Sequence, residues 1–374
     1  MSLDKSANLP EVSECIHGGL PFAELRARGI DPATVLDFST NVNPLGPSPR
    51  VREALLGIPL AQYPDRHCTE LRETLAGHLG VGPDNILCAN GSSELLHLIA
   101  QSWLNPADKV LILGPTYSEY ARAARLRTSS VQTVCATTAA DIQFDPATIE
   151  QTLVRDRFRL CFLCTPNNPT GQLIPASWVE RWAERCPQTQ FVVDEAYVDF
   201  VPQAQSLAAC GRPNILVLRS LTKAYGLAAL RLGYAVAPPQ RLADLIRVRP
   251  PWNVNAFAQT AGVAALNDPM HLQQSLEVLN RGKQQLLTAF QQLGLRCLET
   301  STPFFLMKFP DSKSVVAQLW QRRILVRDCT SFGLMDFIRI CPRLPEENAQ
   351  LVRHLSESIH GSSDFALQHG PPRP

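Results

Sequence analysis

The strongest constraint on the fold is a recurring pattern of short, uninterrupted apolar runs separated by amphipathic stretches. Val110-Leu111-Ile112-Leu113 ends at Gly114-Pro115, and Leu160-Cys161-Phe162-Leu163-Cys164, Phe191-Val192-Val193, Ile215-Leu216-Val217-Leu218 and Leu232-Gly233-Tyr234-Ala235-Val236 repeat the pattern. A run without apolar/polar alternation suits a strand buried on both faces, as in a parallel sheet. Between the runs, residues 93–104 and 176–186 place apolar side chains at helical spacing. Strands alternating with helices predict a doubly wound α/β fold with a mainly parallel sheet, whose ligands sit beyond the carboxyl ends of the strands.

After residue 260 the pattern changes. A helix is expected over residues 270–295, then strands over 304–307, 324–326 and 337–340, with helices near 315–321 and 346–359. This predicts a smaller α+β domain over 261–360 beside a large domain over 41–260. An arm over residues 1–40 is expected to join the small domain and close the site, and residues 361–374, without apolar periodicity, are expected to be a disordered tail. Lys plus Arg total 35 and Asp plus Glu 34. That balance creates no field to draw in nucleic acid or an anionic membrane. No stretch approaches the ~20 apolar residues that span a bilayer, and the N-terminal segment lacks the pattern of a secretory signal. A cytoplasmic protein is expected, with its 11 irregularly spaced cysteines reduced. Cys161-x-x-Cys164 has zinc spacing, but it lies inside a strand pattern without a second ligand pair, so no metal is expected.

Three segments carry chemistry. Asn90-Gly91-Ser92-Ser93-Glu94 opens a helical pattern with a glycine and two hydroxyls. It suits a phosphate cradle at a helix N-terminus, and equally an N-cap with a capping-box glutamate. Asp194 directly follows a buried strand, where a carboxylate needs a cationic or hydrogen-bonding partner. Lys223 lies just beyond another strand, amid Ser220 and Thr222, with Arg231 eight residues on. A desolvated lysine there can form a Schiff base, and the arginine can complete a phosphate site.

Taken in order, Asn90-Gly91-Ser92-Ser93-Glu94, Pro166-Asn167-Asn168-Pro169-Thr170-Gly171, Asp194-x-x-Tyr197, Ser220-x-Thr222-Lys223 and Arg231 resemble the fold-type I pyridoxal-phosphate enzymes of the class I/II aminotransferase family. The resemblance spans most of the chain and implies pyridoxal 5'-phosphate as cofactor. It makes Lys223 the Schiff-base lysine and proton carrier and Asp194 the partner of the ring nitrogen. Asn168 and Tyr197 become hydrogen-bond partners of the ring oxygen, and Tyr117 the aromatic stacked on the ring. Gly91, Ser92, Ser220, Thr222 and Arg231 would hold the phosphate, together with Tyr63 from a neighbouring subunit, which implies a homodimer with shared active sites.

Arg339 matches the family arginine that binds the substrate carboxylate, and Arg327 matches one that binds a substrate phosphate in phosphate-ester branches. Two branches fit. His17-Gly18-Gly19, Leu36-Asp37-Phe38-Ser39-Thr40-Asn41-Val42-Asn43-Pro44-Leu45-Gly46 and Pro251-Trp252-Asn253-Val254-Asn255 resemble threonine-phosphate decarboxylases of cobalamin synthesis, in which the arm closes on the substrate through His17, Gly18 and Asn41. The expectation is therefore decarboxylation of L-threonine O-3-phosphate to (R)-1-aminopropan-2-yl phosphate, with O-phosphoserine as a related substrate. The alternative is a histidinol-phosphate aminotransferase, towards which Tyr117, Ala224 and Gly226 lean. A catalytically silent cofactor-binding regulator is the remote reading, and no basic helix-turn-helix segment supports it.

Overall fold

The computed structural model describes residues 15, 17–136, 142–298, 300–309 and 311–361. Its central sheet contains β1 (Ile86–Asn90), β2 (Val110–Gly114), β3 (Val131–Cys135), β4 (Leu160–Cys164), β5 (Gln190–Asp194), β6 (Ile215–Ser220) and β7 (Leu232–Val236). Their spatial order is β1-β7-β6-β5-β4-β2-β3. Neighbours from β3 to β6 run parallel, whereas β7 is antiparallel to both β6 and β1.

Each apolar run anticipated from the sequence is one of these strands, and both faces of the sheet are buried. Cys161, Leu163, Phe191, Val193, Ile215 and Val217 pack on one side with Val179 and Trp182. Leu160, Phe162, Val192, Leu216 and Leu218 pack on the other with Leu95, Ile99 and Tyr120. Burial of each large apolar side chain contributes about 1.5–3 kcal/mol, so interrupting such a run with a polar residue is strongly disfavoured. The strand β3 lacked an apolar signal because it is the sheet edge, where Gln132 and Thr133 face solvent.

A second, antiparallel sheet holds β8 (Cys297–Leu298), β9 (Phe305–Lys308), β10 (Arg327–Asp328) and β11 (Phe337–Ile340) in the order β10-β11-β9-β8. The strand expected over 324–326 is divided. Ile324–Leu325 pairs in parallel with Leu36–Asp37, and the chain then changes partner at Val326 so that β10 pairs with β11. The N-terminal strand thereby joins the C-terminal unit, and Phe38 packs among Leu286, Phe290, Phe305, Ile338 and Leu351. The long helix Pro269–Gln292 bridges the two cores, with Leu279 in the larger one.

Residues 1–14 and 16 of the anticipated arm and 362–374 of the anticipated tail lie outside the described residues. Among the described residues no helix is long and apolar enough to cross a membrane, and no group of three or more acidic, His or Cys side chains is arranged to hold a metal. Cys161 and Cys164 are buried as free thiols outside any disulfide, and burial raises the pKa of both.

Candidate active site

A cleft opens at the carboxyl ends of the central strands, between the sheet and the segment that follows His17. β5 ends at Asp194, and this carboxylate is 4% exposed. Its Oδ2 accepts from the Tyr120 hydroxyl at 2.7 Å and its Oδ1 from the Ala196 N–H at 2.9 Å. Burial raises the proton affinity of Asp194, and these two donors oppose that rise.

β6 delivers Ser220 and the turn that carries Lys223. Burial lowers the Lys223 pKa to about 8, and the guanidiniums of Arg339 and Arg231 push it the same way. A substantial share of this amine is neutral at cellular pH, which an exposed lysine is not.

The phosphate cradle forms where β1 meets the helix Ser92–Trp103. Gly91 holds φ +80° and ψ 162°, a region open essentially to glycine alone. A Cβ there would stand 2.8 Å from Arg231 Nη2, and one on Gly233 would stand 2.5 Å from the Ser92 nitrogen. Bare backbone therefore lets the helix N-terminus, the Arg231 guanidinium and the Ser220–Thr222 hydroxyl pair, 2.7 Å apart, converge. Exposed N–H groups, a helix dipole and a guanidinium in one place suit a phosphate dianion. A capping box is not formed: the N-cap is Gly91, which has no side chain to cap the helix, and Glu94 Oε2 accepts instead from the Asn90 N–H, one residue before it, at 2.7 Å.

Facing this cradle, Arg327 and Arg339 stand directly opposite each other on β10 and β11, both buried. Arg339 donates to Asn168 Oδ1 and to the Ser39 carbonyl, and no carboxylate pairs with it among the described residues. Arg327 donates to Ser331 Oγ at 2.7 Å and lies over the Phe332 ring at 5.0 Å. Burial, and then the neighbouring Arg339, lower the Arg327 pKa. Two adjacent buried guanidiniums, the second of them bonded to an amide oxygen and a backbone carbonyl, suit an anion. Asn41, 1% exposed, lines the same cleft, and neither of its amide atoms has a hydrogen-bond partner among the described residues.

The arm enters over this site. His17 Nε2 is 3.1 Å from Glu119 Oε1, its ring centroid is 5.6 Å from that of Tyr117, and the Gly19 N–H donates to Ser39 Oγ at 2.9 Å. Gly18 presses on Ser39 so closely that a Cβ would come within 2.6 Å of its carbonyl oxygen.

The cleft thus unites Lys223, Asp194, Tyr197, Tyr117, Asn168, Ser92, Ser220, Thr222, Arg231, His17, Gly18, Asn41, Arg327 and Arg339. Gly91 shapes the cradle from behind. Tyr63 stands apart, 81% exposed and stacked on Trp252 at 4.7 Å. The sequence reading gave no role to Tyr120, Ser39 or Phe332, and it counted Ser93 only as the second hydroxyl of the expected cradle. Tyr120 reads as an ordinary core position of a helix, and Ser39 acts through its carbonyl, which no residue type advertises.

Fold and cleft together define a pyridoxal-phosphate enzyme of fold type I. Residues 33–355 match the family described as aminotransferase class I and II, and the chain belongs to that family. A histidinol-phosphate aminotransferase of Moorella thermoacetica is 37% identical over 353 residues, covering 91% of this chain and 89% of that protein. Histidinol-phosphate aminotransferase 1 of Cupriavidus pinatubonensis is 36% identical over 354 residues, 91% and 93% of the two chains. Among solved structures, histidinol-phosphate aminotransferase from Sinorhizobium meliloti in complex with pyridoxal-5'-phosphate shares the fold, with a TM-score of 0.83, 24% identity and coverage of 96% and 100%. L-threonine-O-3-phosphate decarboxylase from Porphyromonas gingivalis has a TM-score of 0.76 and 27% identity, with coverage of 87% and 100%.

These findings overturn the expected threonine-phosphate decarboxylase, and with it the lyase activity and the place in cobalamin synthesis. Relatives 36–37% identical over 332–354 residues are histidinol-phosphate aminotransferases, against 27% for the decarboxylase. Of the segments that suggested the decarboxylase, His17-Gly18-Gly19 and residues 36–46 bring His17, Gly18, Ser39, Thr40 and Asn41 to the cleft. Holding a phosphate does not by itself decide which bond breaks at the amine-bearing carbon.

Proposed function

We propose that this chain is an aminotransferase that moves the amino group of histidinol phosphate to a 2-oxo acid. The observation that carries this reading is its identity, over about nine-tenths of its length, with histidinol-phosphate aminotransferases. The paired Arg327 and Arg339 support it, since histidinol phosphate brings a dianionic phosphate close to its amine, and a 2-oxo acid brings a carboxylate to the same place.

When bound, pyridoxal phosphate supplies an electron sink for negative charge at the carbon that carries the amine. Lys223 would hold the cofactor through its amine at rest, and that amine, freed when the substrate's own takes its place, would carry the proton from the amine-bearing carbon to the cofactor side, so that the amino group stays with the cofactor. Asp194 pairs with the ring nitrogen, Tyr117 covers the ring face, and Asn168 and Tyr197 hold the ring oxygen. Burial keeps the Tyr197 phenol protonated, although Arg339 acts against this, so it serves as a donor. Ser92, Ser220, Thr222, Arg231 and the backbone at Gly91 grip the cofactor phosphate. Arg327, Arg339, Asn41 and the arm at His17 and Gly18 hold the substrate anion and exclude water. The exposed Tyr63 reaches the cleft of a second copy, making the working unit a homodimer.

The purified protein loaded with pyridoxal phosphate is expected to form glutamate from histidinol phosphate and 2-oxoglutarate in equal amounts to the amine consumed. Absence of glutamate with this pair, under conditions where cofactor is bound, overturns the reading. Assays with O-phosphothreonine, which carries an amine, a carboxylate and a phosphate, set the selectivity.

A further inference from the structure

Tyr120 lies outside every motif recognised in the sequence, yet the fold directs its hydroxyl at the centre of the cleft. It sits in the helix Glu119–Arg125, and its ring is 1% exposed. The ring stacks on Phe162 of β4 at 5.4 Å with 6° between the planes, and the Tyr117 ring meets it edge-on at 5.6 Å. That packing fixes the phenol's direction, and its hydroxyl donates to Asp194 Oδ2. The Ala196 N–H holds the other oxygen, so one donor on each side sets the plane of the carboxylate. The other titratable groups that interact with Asp194 are Cys164, Tyr117, Tyr197 and Lys223. The Cys164 thiol is turned to the Pro166 carbonyl at 3.2 Å, which leaves Tyr120 as the side-chain donor.

We propose that Tyr120 is a positioning residue for the cofactor ring, holding Asp194 ionised and aimed at the ring nitrogen through its hydroxyl. The inference rests on the assignment of Asp194 to that nitrogen. Burial disfavours a charged carboxylate, and a hydrogen bond to the charged form counters it. Without the hydroxyl, the proton shared between Asp194 and the ring nitrogen moves towards the carboxylate, and the ring becomes a weaker electron sink. Burial, and next the charge of Asp194, hold the phenol itself well above its ordinary pKa, so it stays a donor throughout the working range.

Tyr120→Phe removes the hydroxyl and keeps the stacked ring. The test is the ring-nitrogen chemical shift of 15N-labelled pyridoxal phosphate bound to wild type, Tyr120→Phe and Asp194→Asn, with kcat, KM and melting temperature measured alongside. Wild type should show a protonated nitrogen. Tyr120→Phe should move towards the neutral range seen in Asp194→Asn, with kcat lower by about 10- to 100-fold and KM and melting temperature little changed. A protonated nitrogen in both wild type and Tyr120→Phe overturns the role of Tyr120. A neutral nitrogen in wild type instead overturns the assignment of Asp194. If Tyr120→Phe does not fold, 4-aminophenylalanine placed at position 120 keeps the ring with a weaker donor and should move the nitrogen signal towards the neutral form, and a signal identical to wild type refutes the proposal.

Discussion

Replacing Gly91 by alanine tests the phosphate cradle at the point where backbone and ligand chemistry meet. At φ +80° and ψ 162° an L-residue is strained, at a cost of about 1–3 kcal/mol. The new Cβ would also stand 2.8 Å from Arg231 Nη2 and 3.5 Å from Cζ. Because the clash is with the far end of a flexible side chain, the guanidinium swings aside and the fold survives. Arg231 already sits at the exposed rim with a bond to the Ala228 carbonyl at 3.1 Å, so it has somewhere to go. Losing a charged hydrogen bond to phosphate removes about 1.5–3 kcal/mol, which corresponds to about 10- to 100-fold weaker cofactor binding. Titration of apoenzyme with pyridoxal phosphate, followed by absorbance, measures this directly. Gly91→Ala, Arg231→Gln and the double variant form a cycle, and the double loss should be far less than the sum of the single losses. Additive losses, or wild-type affinity in Gly91→Ala, would refute the idea that Gly91 is needed to leave room for Arg231.

Three further outcomes are expected. The rate at which apoenzyme captures pyridoxal phosphate through Lys223 should rise with pH to a midpoint near 8, because only the neutral amine is nucleophilic. Arg339→Gln should move that midpoint upward by removing a like charge, and an unmoved or lower midpoint contradicts this electrostatic account. Arg327→Gln should raise KM for histidinol phosphate by about 10- to 100-fold through loss of a charged hydrogen bond to phosphate, leaving cofactor affinity intact; steady-state kinetics and cofactor titration separate the two. Glu119→Ala removes the carboxylate 3.1 Å from His17 Nε2 and 3.7 Å from His97 Nε2. The arm should then be cut faster by protease near residues 15–20, and unchanged cleavage would show that this contact does not hold it.

Five of the seven central strands were legible because burial on both faces forces uninterrupted apolar runs, and each run named is a strand; Ile86–Asn90, at the opposite edge and buried over its first four residues, was not named. The edge strand Val131–Cys135 was not legible, since one-sided packing relaxes that demand. Lys223 and Asp194 could be found because charged residues at or just beyond the ends of buried strands are costly unless the site uses them, and Arg231, just before the strand Leu232–Val236, through its spacing from Lys223. Tyr120 could not, as an aromatic at a helical core position serves packing in most proteins. The reaction was misread for a related reason: the residues of the arm and the anion grip are compatible with either outcome at the amine-bearing carbon, and relatedness over the whole chain decided for the aminotransferases.

What the sequence alone determined is the inventory and its placement along the chain: which strands are buried, which functional groups stand at their carboxyl ends, and which cofactor those groups suit. Tertiary structure decided who meets whom. It set Arg327 opposite Arg339 in the register of β10 and β11, brought the Ser39 carbonyl to Arg339, and aimed the Tyr120 hydroxyl at Asp194. Periodicity records which face of an element is buried, a local property of a few residues. The partner on the other side of that face is chosen by the packing of the whole chain, and segments 74 to 300 residues apart leave no local pattern of their meeting.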